Sequence, residues 1–228
     1  MASTSLKDAS VLLLGATGGL GAALGSELAS RGAALTLAAR DEERLNRSEL
    51  PGTRVAVDLR SPDGCARAVQ AALEHNGQLD VVINAVGVVA FGDVESLSTD
   101  VMEELFLTNT FVPIMIAQES MTKLSPGGVL VNISGVIAEQ NLPGMAAYGA
   151  SKAAVLAFDQ ALAREARRKG LRVLDARPPH TETGLAGRAI AGTAPRMGVG
   201  LEPATVARII CDAIESGATD LPSSDFTA

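Results

Sequence analysis

A tyrosine and a lysine four residues apart are the pair in this sequence best suited to proton transfer. The chain has one tyrosine, Tyr148, and Lys152 ends the run Tyr-Gly-Ala-Ser-Lys that begins with it. Residues four apart share a helix face, so the phenol and the ammonium are predicted to project together. A free phenol has a pKa of about 10, and a nearby positive charge lowers it. Tyr148 is therefore a candidate general acid or base, although most such pairs are surface neighbours.

A glycine-rich run near the N-terminus has the composition of a phosphate-binding turn. The run Gly15-Ala16-Thr17-Gly18-Gly19-Leu20-Gly21 follows the apolar stretch Val11–Leu14 and precedes a helical pattern. Glycines permit a tight turn and let a pyrophosphate approach the backbone, and free N–H groups at a helix start favour an anion. The position after a first strand predicts a dinucleotide site. A glycine-rich turn without a ligand is the alternative.

The end of the second apolar run bears on which dinucleotide is bound. This run ends Ala38-Ala39-Arg40. An NAD site places a carboxylate here for the ribose 2′-hydroxyl, whereas an NADP site places a cation for the 2′-phosphate. The Arg40 guanidinium can grip a phosphate with two parallel hydrogen bonds. The sequence favours NADP(H); the alternative is a solvated arginine followed by a helix that opens at Asp41.

Alternating apolar runs and longer helical patterns must position these residues. Near-continuous Val, Leu and Ile content is typical of parallel strands covered on both faces. The predicted strands are Val11–Leu14, Ala34–Ala39, Arg54–Val57, Leu79–Asn84, Gly128–Ile133 and Leu171–Ala176. The predicted helices are Leu20–Arg31, Asp63–His75, Thr99–Lys123, Ala147–Lys169 and Pro203–Glu215. This alternation predicts an α/β fold with a doubly wound parallel sheet of the Rossmann type, as one domain over residues 1–228. Residues 1–125 would form the cofactor half and 126–228 the catalytic half.

Charge and composition narrow the function classes. The 228 residues carry a net charge of −7, which argues against a nucleic-acid partner because phosphate binding needs a basic face. Cys65 and Cys211 form neither a disulfide framework nor a metal-ligand spacing, and no apolar run is long enough for a membrane span. The expectation is a cytoplasmic protein with no metal and no membrane partner.

The two motifs together resemble those of the short-chain dehydrogenase/reductase family. The glycine spacing G-x-x-x-G-x-G is followed, about 130 residues later, by a complete Y-x-A-S-K. The resemblance extends from Val11 to about Glu215. In that family the tyrosine is the acid/base, and the lysine also holds the nicotinamide ribose. The resemblance therefore implies these roles for Tyr148 and Lys152. The implied activity is hydride transfer between a nicotinamide cofactor and a carbonyl or secondary alcohol.

The resemblance implies further site residues. Asn109 matches an asparagine that supports a water in the proton relay, with an ordinary buried amide as the alternative. Asp58 matches a residue that contacts the adenine ring, and a turn cap is the equally weighted alternative. The predicted cofactor-binding set is Gly15, Thr17, Gly18, Gly19, Leu20, Gly21, Arg40, Asp58, Leu59, Asn84, Ala85, Gly87, Tyr148, Lys152, Pro178, Thr181 and Thr183.

The sequence departs from the family pattern at the catalytic serine. That serine normally precedes the tyrosine by thirteen residues, where this chain has Gly135, and Ser134 lies one residue early. Neighbouring side chains of a strand face opposite sides, so the Ser134 hydroxyl reaches a substrate only if the strand ends or bulges there. Ser134 is the predicted catalytic hydroxyl. The alternative is an NADP(H)-binding sensor or assembly protein with weak or lost catalysis.

The substrate side and the assembly are predicted from the remaining segments. Residues 184–200 are rich in glycine and are expected to form a flexible loop over an apolar pocket, which suits a lipophilic carbonyl or alcohol substrate. A homodimer through Thr99–Lys123 and Ala147–Lys169 is expected, because both helices are apolar on more than one face. A tetramer is doubtful, because only the brief Ala218–Leu221 stands where the family has a longer C-terminal strand.

Overall fold

Seven parallel strands form one sheet in the computed structural model, which describes residues 3–227. The strands are β1 (Ser10–Leu14), β2 (Ala34–Ala39), β3 (Thr53–Ala56), β4 (Val81–Asn84), β5 (Val129–Ile133), β6 (Arg172–Ala176) and β7 (Asp220–Leu221). Their order is β3-β2-β1-β4-β5-β6-β7. The strand order reverses between β1 and β4, and ligands of such sheets bind at the carboxyl ends of the strands near this point. The predicted doubly wound α/β fold is confirmed.

Helices cover both faces of this sheet. They are α1 (Gly19–Ser30), α2 (Glu42–Asn46), α3 (Pro62–Asn76), α4 (Thr99–Phe106), α5 (Val112–Ser120), α6 (Ala146–Arg168) and α7 (Pro203–Ser216). The short α2 is the helix that the alternative for Asp41 anticipated, since the Asp41 side chain caps it by accepting from the Arg44 amide. None of the helices within residues 3–227 is long and apolar enough to cross a bilayer.

The helix predicted over Thr99–Lys123 is interrupted in its middle. A π-helical turn, Leu107–Phe111, separates α4 from α5, and the helix ends at Ser120. Pro113 explains the interruption, because proline has no N–H to give to the carbonyl of Asn109, its α-helical partner four residues earlier. Such π turns are frequent at functional sites.

Apolar side chains fill both sides of the sheet. On one side, Leu24 and Leu28 of α1 and Ile210 of α7 pack against β1 and β2. On the other side, Val69 of α3 and Ile116 of α5 pack against the opposite faces of the strands. Burying a side chain of this kind contributes about 1.5–3 kcal/mol, so these two layers fix the carboxyl ends of the strands as a rigid platform.

The C-terminal strand is shorter than the segment that the sequence suggested. Within Ala218–Leu221, only Asp220 and Leu221 pair with β6, where Asp175 aligns with Asp220 and Ala176 with Leu221.

Candidate active site

Three glycines of the turn between β1 and α1 have no room for a side chain. A Cβ on Gly15, whose φ is +79°, would lie 2.9 Å from the Ala85 carbonyl carbon. A Cβ on Gly21 would lie 2.1 Å from the Gly15 oxygen, and one on Gly19 would lie 2.5 Å from the Thr183 oxygen. No side chain caps the N-terminus of α1. A bare backbone of this kind, with free N–H groups at a helix start, fits the pyrophosphate of a dinucleotide.

A cleft of about 620 Å³ opens at the carboxyl ends of the strands, next to this turn. It brings together segments that are far apart in the sequence. The predicted site residues at its wall are Gly18, Gly19, Leu20, Gly21, Ala85, Gly87, Ser134, Tyr148, Lys152, Pro178, Thr181 and Thr183. The glycine turn and the tyrosine and lysine pair, which the sequence could relate only by resemblance, therefore share one cavity.

The remaining predicted cofactor residues lie beyond this wall. Arg40 is exposed, and it lies near enough to Asp58 for its charge to affect the Asp58 carboxyl. Hydrogen bonds from Arg60 lower the pKa of Asp58, and the charge of Arg40 lowers it further. Leu59 is buried directly after Asp58. These positions are compatible with an adenosine site between β2 and β3, in which the carboxylate of Asp58 is already held by Arg60.

Arg44 is a contact of the glycine turn that sequence reasoning missed. Its Nη2 donates to the carbonyl oxygen of Thr17 at 2.9 Å, and both residues line a second cavity of about 460 Å³. The available signal was its place four residues after Arg40, just inside α2. A cation here adds positive charge beside the turn that is expected to hold phosphate.

Burial sets the protonation of the Tyr148 and Lys152 pair at the start of α6. Burial raises the pKa of Tyr148 to about 12 and lowers that of Lys152 to about 8, although the charges of Asp175 and Asp159 oppose the second shift. The Lys152 ammonium donates to the carbonyl oxygen of Ile133 at 2.8 Å. The phenol therefore keeps its proton at neutral pH, as a group must before it can act as an acid.

Asn109 lies in the π turn, and its side chain is fully used inside the protein. Its Oδ1 accepts from the Val88 amide at 2.9 Å, and its Nδ2 donates to the Val88 carbonyl and the Ser151 hydroxyl. The side chain is thus the satisfied buried amide of the alternative. Asn109 therefore holds the Val88 backbone and Ser151 in place through this amide.

The contacts of the Asn109 side chain with the Val88 backbone also hold the loop that follows β4. A Cβ on Gly87 would lie 3.4 Å from the Asn109 Oδ1 and 3.5 Å from the Lys152 Nζ, so the backbone there runs directly past both groups. Asn84, at the end of β4, is buried, and its Oδ1 accepts from the Val86 amide at 3.2 Å. Asn84 therefore supports the backbone of this loop through Val86 and does not itself line the cleft.

The structure does not bring the hydroxyl of Ser134 to the cleft. Ser134 is 0% exposed, and its Oγ donates to Asp175 Oδ1 at 2.7 Å. Although β5 ends at Ile133, the alternation of side chains continues through Ser134, which therefore lies on the same side of the sheet as Asn132, where Asn132 contacts α6. The expectation that the turn rotates Ser134 towards a substrate is corrected by this contact.

Gly135 adopts a backbone conformation that serine avoids. Its φ is +79° and its ψ 162°, a region populated almost only by glycine. A Cβ there would meet only the Pro178 oxygen, at 3.9 Å. Backbone conformation, rather than lack of space, therefore disfavours a serine at the family position.

The cleft also has an apolar wall. Its members are Val89, Phe91, Val136, Ile137, Leu142, Met145, Leu185, Met197 and Val199. Part of the 184–200 segment covers this wall and is tied to it by two backbone bonds, Phe91 N to Ala191 O at 2.9 Å and Ile190 N to Val89 O at 2.8 Å. The predicted mobility of this segment stays a prediction.

Comparison with known proteins agrees with this arrangement. A sequence model described as short chain dehydrogenase matches residues 9–193. A "Dehydrogenase/reductase SDR family member 7B" from Danio rerio is 30% identical over 234 residues, which cover 92% of this chain and 75% of that protein.

Solved structures share the fold. A Burkholderia phymatum short chain dehydrogenase/reductase in complex with NAD superposes with a TM-score of 0.88 at 21% identity, covering 96% of this chain and 90% of the other. A Burkholderia cenocepacia J2315 short chain dehydrogenase in complex with NADP superposes with a TM-score of 0.84 at 23% identity, covering 96% and 98%. With the sheet order, the bare glycine turn and the Y-x-A-S-K motif at one cleft, the sequence match places the chain in the short-chain dehydrogenase/reductase family of oxidoreductases.

Proposed function

We propose that this protein is an NADP(H)-dependent oxidoreductase that interconverts a carbonyl and a secondary alcohol, with Tyr148 as the acid/base. The observation that carries the proposal is the convergence of the bare glycine turn, Tyr148 and Lys152 on one cleft of about 620 Å³. A dinucleotide held by the glycine turn would share this cleft with the phenol of Tyr148. The apolar wall suits a lipophilic substrate.

In this mechanism the residues of the chain supply binding, orientation and the proton. The glycine turn would hold the pyrophosphate, and Lys152 and Thr183 would hold the nicotinamide end of the cofactor. When bound, the nicotinamide supplies the hydride in reduction and accepts it in oxidation. Tyr148 donates its proton to the carbonyl oxygen of the substrate, and the adjacent Lys152 charge stabilises the phenolate that remains.

The direct test is consumption of NADPH with a panel of carbonyl compounds. Apolar ketones are expected to react faster than sugars, because the wall of the cleft offers few polar partners to hydroxyl groups. Absence of turnover with every carbonyl compound, at NADPH concentrations that saturate binding, would contradict the proposed reaction.

The preference for NADP(H) rests on Arg40 and is tested by replacing it. Arg40→Ala is expected to weaken NADPH binding about ten- to a hundredfold and to leave NADH binding unchanged, because only NADPH carries the 2′-phosphate. Isothermal titration of both nucleotides measures this. Arg168→Ala, an exposed change at the end of α6, is the matched control. Tighter binding of NADH than of NADPH by the unaltered protein would contradict the assignment.

A sensor or assembly protein that binds NADP(H) with weak catalysis is the second candidate. The bond from Ser134 to Asp175 and the bare Gly135 favour it, because the cleft then lacks the usual hydroxyl donor. Losing one donor to a developing oxyanion costs about 10²–10³ in rate. Tight NADPH binding with no detectable turnover would select this candidate, whereas turnover abolished by a change at Tyr148 would select the first.

Restoring serine at the family position is expected to fail. Gly135→Ser should lower the melting temperature without raising the reductase rate, because the backbone conformation at 135 costs a serine about 1–3 kcal/mol. Gly135→Ala is the control, since it introduces the same strain without the hydroxyl. Thermal melts and initial rates measure both effects. A rate for Gly135→Ser above that of both Gly135→Ala and the unaltered protein would show that the hydroxyl is what the site lacks.

The assembly and location are proposed on separate observations. The side chain of Phe111, in the π turn between α4 and α5, is 54% exposed, which fits burial against a second copy in a homodimer. Both cysteines, Cys65 and Cys211, are free and buried, which fits the reducing cytoplasm.

A further inference from the structure

Two buried carboxyl groups lie beneath Lys152, and the proposed mechanism does not use them. Asp175 is the penultimate residue of β6, and Asp159 is on α6, seven residues after Lys152 and therefore on the same helix face. Their residues are only 3% and 2% exposed. Ionised carboxyl groups are rarely buried to this extent unless they are paired.

Three consecutive residues at the end of β5 connect this pair to Lys152. Asn132 donates to Asp159 Oδ1 at 2.8 Å, the Ile133 carbonyl accepts from Lys152 at 2.8 Å, and Ser134 donates to Asp175 Oδ1 at 2.7 Å. The contacts of Ser134 and Lys152 therefore belong to one buried network.

Each carboxyl group has one oxygen that no donor reaches. Asp159 Oδ2 and Asp175 Oδ2 are buried without a hydrogen-bond partner among the described residues. Asn132 brings the two carboxyl groups together, because it donates to Asp159 and lies opposite Asp175 in the sheet, and each carboxyl group affects the pKa of the other. Two ionised groups in contact would leave both oxygens unsatisfied and would repel each other in a desolvated site. One proton placed between the two groups removes both penalties.

We propose that Asp159 and Asp175 share one proton and hold a single negative charge beneath Lys152, which makes the pair a positioning device for the Lys152 ammonium. The proton belongs to Asp159, since the other carboxylate already accepts from Ser134 and from Arg177 Nη1 at 2.8 Å. Burial and the adjacent charge of Asp175 raise the pKa of Asp159 well above its usual value. The charge of the pair opposes the loss of the Lys152 proton that burial favours. This inference rests on the proposed function only for the catalytic use of Lys152.

The other charged groups around the pair are accounted for. Arg177 also contacts Glu139, in the turn after β5, and Asp220 of β7, whose Oδ1 lies 2.8 Å from its Nη1. Strands β4 and β5 bring the uncharged Asn84, Asn132 and Ser134 to the network. Within the described chain, Lys152 and Arg177 are therefore the cations that face the pair.

The shared proton is tested by the pH dependence of unfolding. The unfolded aspartates have pKa values near 3.9, so above about pH 5 the folded wild type holds a proton that its unfolded state has lost. Because the folded pKa is raised, this contribution to stability is present at low pH and is lost as pH rises. Asp159→Asn supplies an amide hydrogen to Asp175 Oδ2 without a titrating proton. The ratio of the unfolding constants, wild type over variant, is therefore expected to rise about tenfold per pH unit from pH 5 upwards.

Urea unfolding at pH 5, 6, 7 and 8 measures this ratio. Asp93→Asn, an exposed aspartate whose side chain caps nothing, is the control and should follow the wild type at every pH. If the unfolding constants of the wild type and the Asp159→Asn variant change in parallel between pH 5 and 8, no proton is shared and the proposal is wrong.

The counter-charge is tested by NMR titration of the Lys152 side chain, assigned with Lys152→Arg. Asp159→Asn retains the charge on Asp175 and should keep the wild-type midpoint, whereas Asp159→Asn with Asp175→Asn should lower it by about one pH unit. An unchanged Lys152 midpoint in the double variant would overturn the positioning role of the aspartate pair. If the double variant does not fold, the variant with Asp175→Ser and Asp159→Asn carries the same test. The pH dependence of kcat/KM separates this inference from the proposed function. If the double variant lowers the Lys152 midpoint but its kcat/KM falls at the same alkaline pH as in the wild type, the proposed function is contradicted and this inference stands.

Discussion

Replacing Tyr148 with phenylalanine is expected to lower kcat for ketone reduction about 10²–10⁴-fold, with NADPH affinity unchanged. The phenol is the sole tyrosine hydroxyl of the chain, and it lines the same cleft as the glycine turn. A positioned general acid contributes an acceleration of this size. Removing the hydroxyl leaves the ring in place, so the packing at the start of α6 should survive. Stopped-flow rates and NADPH titration separate the loss of proton transfer from a loss of binding.

A conservative change at the same cleft serves as the control for this variant. Met145→Leu nearly preserves side-chain volume immediately before α6, so kcat should change little. If Tyr148→Phe retained the wild-type kcat while Met145→Leu lost activity, the role of the proton donor would have to move to another group.

The unaltered protein should also lose reductase rate as pH rises through about 8, because Lys152 loses its proton there.

Replacing Gly21 with alanine is expected to weaken the affinity for NADPH about a hundredfold or more and to lower the free energy of unfolding by about 1–3 kcal/mol. A Cβ at Gly21 would lie 2.1 Å from the Gly15 carbonyl oxygen, so the turn must move. Because this turn presents its N–H groups to the expected pyrophosphate, the movement removes several hydrogen bonds together. Isothermal titration and thermal melts measure the two effects.

Gly187→Ala is the matched control for the glycine turn, because a Cβ there meets no atom within 4 Å although the residue lines the same cleft. Its melting temperature and NADPH affinity should match those of the unaltered protein. Wild-type NADPH affinity in Gly21→Ala would mean that the turn can relax without cost, and the nucleotide would have to be held elsewhere.

Local patterns in the sequence were sufficient for the architecture. Alternating apolar runs and helical periodicities predicted six strands that the structure contains, and five helices of which four are continuous and Thr99–Lys123 is divided into α4 and α5, because burial on both faces of a parallel sheet leaves a direct mark on composition. Elements whose formation depends on specific contacts were less visible. The π turn at Leu107–Phe111 arises from one missing N–H at Pro113, and the two-residue β7 has too little sequence to show a period.

The sequence by itself determined the family, through a glycine turn and a tyrosine and lysine pair whose spacing is set by local geometry. Only the tertiary structure decided what Ser134 does and that Asp159 and Asp175 meet. These outcomes depend on the register of β5 against β6, where Asn132 aligns with Asp175, and on the rotation of α6 over both strands. Register and rotation are set by packing across the whole sheet, and no local run of residues records them.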